Sequence, residues 1–296
     1  MVHCMSKGKL LFCTGEGIGN VIQTIPVIRT LNEVLGFEID FWHAFGSFYI
    51  PKVIPYVDKW IVGAKINNLD FSQYKGLVST YWTLNHIKRI PLPLLNTPTP
   101  LSMTRSEVDI YMDIARDLGA KDFIWTGHCE YNKDISEAFD VVIHDGYNPV
   151  GSANWQIKSY PYYELVAKML VDSGFTVCSV GAKNEYITST VDRTGLPLLD
   201  TLSIIGHAKV FLGNDSGLYH CANMLWVPNV VIFTATSVEK NYDKRFHKYS
   251  TIVGRDDLKC RPCQAGRRWN KDCKTWDCRE IDAKVVYDAV RQKFCE

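Results

Sequence analysis

The chain has 296 residues, in which 33 Lys and Arg balance 32 Asp and Glu to a formal charge of +1. That length favours two domains, and near-neutrality excludes a globally basic nucleic-acid binder without excluding a local basic face. Hydrophobic residues at 46% and charged residues at 22% exclude intrinsic disorder. No apolar run approaches the roughly 18 residues of a bilayer helix. The run 10–13 is also shorter than the roughly 7 to 15 residues of a signal-peptide core. A cytoplasmic protein is therefore expected, with its ten Cys held as thiols.

In chain order, Lys9–Thr14 reads as a buried strand that meets Gly15-Glu-Gly-Ile-Gly-Asn20, after which 21–35 has helical apolar spacing. Residues 37–42 and 76–81 read as further strands. Four prolines between 91 and 100 mark a loop, and 106–118 a helix with Ser106 as N-cap and Gly119 as stop. A second cycle starts near 138. Strands are expected at 139–144, 175–180, 210–213 and 229–234, with helices at 162–173, 199–208 and 218–225. Residues 282–294 read as a closing helix able to cross back to the first domain. The expected fold class is α/β: two Rossmann-like domains facing each other across a cleft, with ligands at the carboxyl ends of the strands. The expected boundaries are an acceptor-binding domain over 1–135, a nucleotide-sugar-binding domain over 136–280, and a C-terminal helix over 281–296.

Gly15, Gly17 and Gly19 form a strand-to-helix loop of the kind that turns backbone N–H groups towards an anion. Their G-x-G-x-G spacing is not the dinucleotide fingerprint, and it serves a tight turn equally well. Asp215-Ser216-Gly217 is more informative, because it stands where a strand ends and a helix begins. Amides there face a phosphate with the helix dipole behind them, although Asp215 also reads as a plain N-cap.

The block 202–236, with Gly213-Asn-Asp-Ser-Gly217, His220, Ala222, Val227-Pro228 and Val230-Val-Ile-Phe233, resembles the bacterial heptosyltransferases of glycosyltransferase family nine. Gly17-Ile-Gly-Asn-Val-Ile-Gln-Thr-Ile-Pro26 is similar to that family's first loop and helix. Lys158-Ser-Tyr-Pro161, Gly181 and the Cys-x-Pro-Cys near 260 agree in order, whereas 40–135 match poorly. The resemblance implies a GT-B fold and inverting sugar transfer from a nucleoside-diphosphate sugar, with no catalytic cofactor. It assigns Asp215, Ser216, Gly217, His220 and Gly181 to the donor and Lys158 to its phosphate charge. Gly17 and Gly19 fall to an acceptor or phosphate loop. The family carries Asp directly after the second glycine, as the base for the acceptor hydroxyl. Here the residue is Asn20, whose amide cannot accept the proton. Glu16 on the same loop is the expected substitute, making Glu16, Asn20 and Asp215 the catalytic set. Asp145, or an acidic residue from 40–135, comes next in line.

Residues 239–296 hold 15 Lys and Arg against 10 Asp and Glu. Within them Cys260, Cys263, Cys273 and Cys278 alternate with Arg261, Arg267, Arg268, Trp269, Lys271, Lys274 and Trp276. Four such thiols suit a structural tetrahedral zinc, in a spacing tighter than a zinc ribbon. A basic segment with two Trp suits stacked bases, or simply a solvated tail. The expected partners are thus a nucleotide sugar with a saccharide acceptor of the lipopolysaccharide-core type. The alternatives are a hydroxymethylated DNA base as acceptor, or an inactive sugar-nucleotide-binding protein.

Overall fold

The central strands form where the apolar runs are continuous. The computed structural model describes residues 7–15, 17–45, 54–129, 137–147, 155–263, 273 and 275–296. The chain divides into two units, Met1–Glu130 with Tyr242–Phe246, and Tyr131–Asn241 with His247–Glu296.

In the first unit, β1 (Lys9–Thr14), β2 (Glu38–His43), β3 (Lys59–Val62) and β4 (Tyr74–Ser79) make a parallel sheet in the order β3-β2-β1-β4. Leu10, Leu11, Phe12 and Cys13 are fully buried, as a central parallel strand covered on both faces requires. The helix expected over 21–35 starts earlier and comes in pieces, α1 (Ile18–Gln23), α2 (Ile25–Arg29) and a wider π turn over Thr30–Val34. Pro26 has no N–H for the ladder, and the break falls beside it.

The unit is completed by α3 (Leu84–Ile87), α4 (Glu107–Tyr111) and α5 (Asp113–Asp117). Ser106 caps α4, its Oγ accepting from the Asp109 N–H at 3.1 Å, and Gly119 follows α5 with φ at +88°. Arg105 and Arg116 both pair with Asp109 and Asp113. Burial works to raise these two carboxyls, yet the arginine hydrogen bonds prevail and hold both below the usual range. Arg245, on the returning segment, adds a contact of 3.3 Å to Asp109. The network pins α4 and α5 in one orientation.

The second unit has six parallel strands, β5 (Val141–His144), β6 (Val177–Gly181), β7 (Val191–Thr194), β8 (Val210–Asn214), β9 (Asn229–Phe233) and β10 (Ser250–Gly254), in the order β10-β9-β8-β5-β6-β7. Its helices are α6 (Tyr163–Asp172), α7 (Leu198–Gly206), α8 (Gly217–Met224), α9 (Val238–Asn241) and α10 (Ala283–Cys295). One core joins Val141, Ile143, Leu212 and Ile232 of the sheet to Val166 and Leu170 of α6 and Val286 and Val290 of α10. The closing helix therefore completes the second unit's own core, which corrects the expectation that it crosses back. Its apolar stripe is consumed by the sheet and α6.

Among the described residues no helix is long and apolar enough to cross a membrane. Each sheet reverses its strand order once, between β1 and β4 and between β5 and β8. In open α/β sheets, ligands bind beyond the carboxyl ends of strands at such a point.

Candidate functional site

The second unit builds its site at the β5/β8 reversal. Asp215 follows β8 directly and is only 3% exposed. A buried carboxylate needs partners, and it has several. Lys158 Nζ donates to the Asp215 carbonyl at 2.9 Å and to its Oδ2 at 3.3 Å. Asn241 Nδ2 donates to Oδ2 at 2.9 Å. His220 Nε2 lies 3.8 Å from Oδ1, and its Nδ1 lies 3.0 Å from His247 Nε2. Burial, reinforced by Lys158 and Lys240, pushes the His220 imidazole down to about 3, so it stays neutral at ordinary pH. Among the described residues the cation touching Asp215 is therefore the Lys158 ammonium, which also sits 4.7 Å from the centre of the Trp155 ring. Asp215 engages two of the three ammonium donors, and among the described residues the third meets no acceptor.

Ser216 precedes α8 in extended conformation, φ −149° and ψ 174°, and its side chain makes no capping hydrogen bond. Its Oγ instead meets His144 Nδ1 at 3.1 Å, and His144 Nε2 lies 3.4 Å from Glu185 Oε2. The first amides of α8 are thus left without a side-chain cap, at the end of the helix where the dipole favours an anion. Gly181 has φ at +127°, and a Cβ there would stand 2.2 Å from Glu185 Oε2 and 2.8 Å from His144 Cδ2. Only glycine fits beside this imidazole–carboxylate pair.

The structure accordingly brings Lys158, Asp215 and His220 into one cluster, with Ser216, Gly217 and Gly181 directly adjoining. His144, Glu185, Asn241 and His247 belong to the same network and were not singled out from the sequence. His144 had a local signal, a polar residue ending an apolar strand run. The other three had none.

Asp145 lies in this second unit. Burial, aided by Glu185, raises its carboxyl to about 7 against a hydrogen bond from Ser159. Its Oδ1 is a buried oxygen with no hydrogen-bond partner.

In the first unit, the loop between β1 and α1 stands at the β1/β4 reversal. Glu16 lies outside the described residues. Gly17 precedes α1 with φ at −68° and ψ at 171°, a conformation open to any residue. Asn20, in the first turn of α1, donates from Nδ2 to Glu107 Oε2 at 2.5 Å and lies 3.4 Å from the Tyr111 hydroxyl. Gln23 Nε2 donates to the same Glu107 oxygen at 3.2 Å.

The expected zinc ligands Cys260, Cys263, Cys273 and Cys278 all lie among the described residues. Among the described residues no three His, Cys, Asp or Glu side chains are grouped to hold a metal ion. Cys260 is exposed, Cys263 and Cys273 are half-buried, and Cys278 is buried. Cys278 packs against Ile157 and Ala235, where burial, with Cys263 adding to it, pushes its thiol up to about 11. Arg267, Arg268, Trp269, Lys271 and Lys274 lie outside the described residues.

Two Rossmann-like units on parallel sheets, each with a loop-to-helix junction at its reversal point, make up the GT-B architecture. Residues 149–273 match glycosyltransferase family 9 (heptosyltransferase). Over 113 residues the chain is 25% identical to lipooligosaccharide heptosyltransferase 2 of Haemophilus ducreyi, a match covering 32% of this chain and 32% of that protein's length. The solved structure of a family 9 glycosyl transferase from Veillonella parvula superposes with a TM-score of 0.72 at 14% identity, covering 98% of both chains. ADP-heptose LPS heptosyltransferase II of E. coli gives 0.74 at 16% identity, covering 97% of this chain and 98% of that one. The fold is that of the GT-B heptosyltransferases, and the resemblance to family nine read from the sequence is borne out.

Proposed function

We propose that the protein is a cytoplasmic glycosyltransferase. In this reading it moves a sugar of the heptose type from a nucleoside-diphosphate donor to a hydroxyl of a lipooligosaccharide-core acceptor, with inversion. The observation that carries the reading is Lys158 on Asp215 at the start of α8, inside the segment that matches family 9. In the transfer the acceptor oxygen bonds to the anomeric carbon as the bond to the diphosphate breaks. The leaving group gains negative charge, which the remaining Lys158 donor and the uncapped α8 amides are arranged to stabilise. These groups supply the compensation without a metal ion. His144 orients Ser216 towards the donor, and neutral His220 serves as a hydrogen-bonding group. Glu16 takes the acceptor proton as general base.

The test is a thermal-shift screen with ADP-, UDP- and GDP-sugars, followed by transfer to a lipooligosaccharide-core oligosaccharide. A donor at a hundredfold its Kd adds about 2.7 kcal/mol of stability, which raises Tm by several degrees. No shift with any donor overturns the reading. A shift without transfer or donor hydrolysis leaves a sugar-nucleotide-binding protein, and transfer to hydroxymethylated DNA instead replaces the acceptor class.

A further inference from the structure

The loop acid that the family resemblance leads one to expect is absent, yet a carboxylate lies one side chain further back. Glu107 opens α4, is 1% exposed, and reaches Asn20 across 87 positions of sequence. Gln23, 2% exposed, and Tyr111, 3% exposed, converge on the same oxygen. The Asn20 amide is oriented by this contact: Nδ2 donates to Glu107 Oε2 and so faces Glu107. Oδ1 is thereby turned the other way. It lies 3.7 Å from where a Cβ on Gly17 would stand, on the glycine-loop side of the residue.

Resting on the transferase reading above, we infer that Asn20 and Glu107 are a pair that binds the attacking hydroxyl of the acceptor. Asn20 Oδ1 accepts the hydrogen bond of that hydroxyl. Glu107 is a positioning residue: it holds the amide in that orientation. Asn20 thus places the hydroxyl in the bound complex, and the proton passes to Glu16 only as attack begins. The pairing reverses the effect otherwise expected of restoring the family residue. Asn20→Asp places two carboxylates within hydrogen-bond distance, where like charges oppose ionisation and one proton is shared. The reciprocal exchange, Asn20→Asp with Glu107→Gln, moves the charge into the loop and leaves it a neutral donor.

The experiment measures transfer and donor hydrolysis by the wild-type protein and by N20D, E107Q, E107A and the N20D/E107Q double variant, using the donor found by thermal shift and the core oligosaccharide. The expected result is a tenfold or greater rise in acceptor KM for E107A, with donor affinity unchanged. N20D alone is expected to lose activity at pH 7 and to gain it towards higher pH, whereas the double variant recovers most of the wild-type rate. Far-UV circular dichroism and Tm identify any variant that fails to fold, and the double variant then stands as the test. Wild-type transfer with unaltered acceptor KM in E107A, or no recovery in the double variant, overturns this inference alone. A wild-type protein that neither hydrolyses nor transfers any donor overturns the transferase reading and this inference with it.

Discussion

The two units use one device, a loop between a central strand and a helix at the point where the sheet reverses order, and fill it with opposite chemistry. After β8 the second unit places an ammonium, Lys158, on a buried aspartate. After β1 the first unit places a neutral amide, Asn20, on a buried glutamate. A cation with an unengaged donor beside uncapped helix amides suits a phosphate. An amide oxygen backed by a carboxylate suits a hydroxyl. The backbone arrangement is therefore permissive, and the side chain delivered from elsewhere in the fold decides the chemistry each junction presents.

The sharpest way to break the comparison is Asp215→Ala. It leaves Lys158 as a buried charge without its partner, which typically costs about 3 to 5 kcal/mol. We expect loss of detectable donor binding and a large fall in Tm, both measured against Asp215→Asn, which keeps the hydrogen bond from Asn241. Retained donor affinity in Asp215→Ala would remove the ammonium from the argument. Next in size is Gly181→Ala. The positive φ and the 2.2 Å approach to Glu185 predict a destabilisation of about 2 to 3 kcal/mol in urea titration. The same substitution at Gly17, in an extended conformation where a Cβ would meet only Asn20 Oδ1 at an ordinary 3.7 Å, is expected to stay within about 0.5 kcal/mol in the same titration.

The smallest effect separates the units by pH. Asp145 has its carboxyl raised to about 7, above its ordinary value of 3.8, chiefly by burial. Between these two values the folded protein binds more protons than the unfolded chain. Stability therefore falls as pH rises through that window. Asp145→Asn removes this slope, and at pH 8 we expect it to raise Tm by a few degrees, roughly 1 to 2 kcal/mol after solvent screening of a half-buried group. Asp109 and Asp113 of the first unit move oppositely, since their carboxyls are held low. Their contribution is present at neutral pH and is lost as pH falls below about 4. A Tm profile of Asp145→Asn that parallels wild type from pH 4 to 8 would show that the carboxyl does not titrate in this window.

The alternation of strands and helices, the Ser106 cap and the Asp215-Ser216-Gly217 junction were legible in the sequence because each depends on neighbours a few residues away. Apolar runs in β1, β5, β8 and β9 mark central strands buried on both faces. The edge strands β3, β7 and β10 were not legible. An edge strand such as Val191–Thr194, half of it exposed, needs no apolar run. Nor was the return of Tyr242–Phe246 to the first unit, for which no local pattern exists.

By itself the sequence determined which segments become the central strands and the helices packed on them, and where glycine and aspartate stand at the junctions, since hydrophobic period and turn chemistry act locally. Only the tertiary structure decided which side chains meet there. Lys158 reaches Asp215 across 57 positions, His144 reaches Ser216 across 72, and Glu107 reaches Asn20 across 87. Those meetings follow from sheet order and from how α4 packs on α1. Side chains so far apart in the chain become neighbours only when the strands between them have chosen their places.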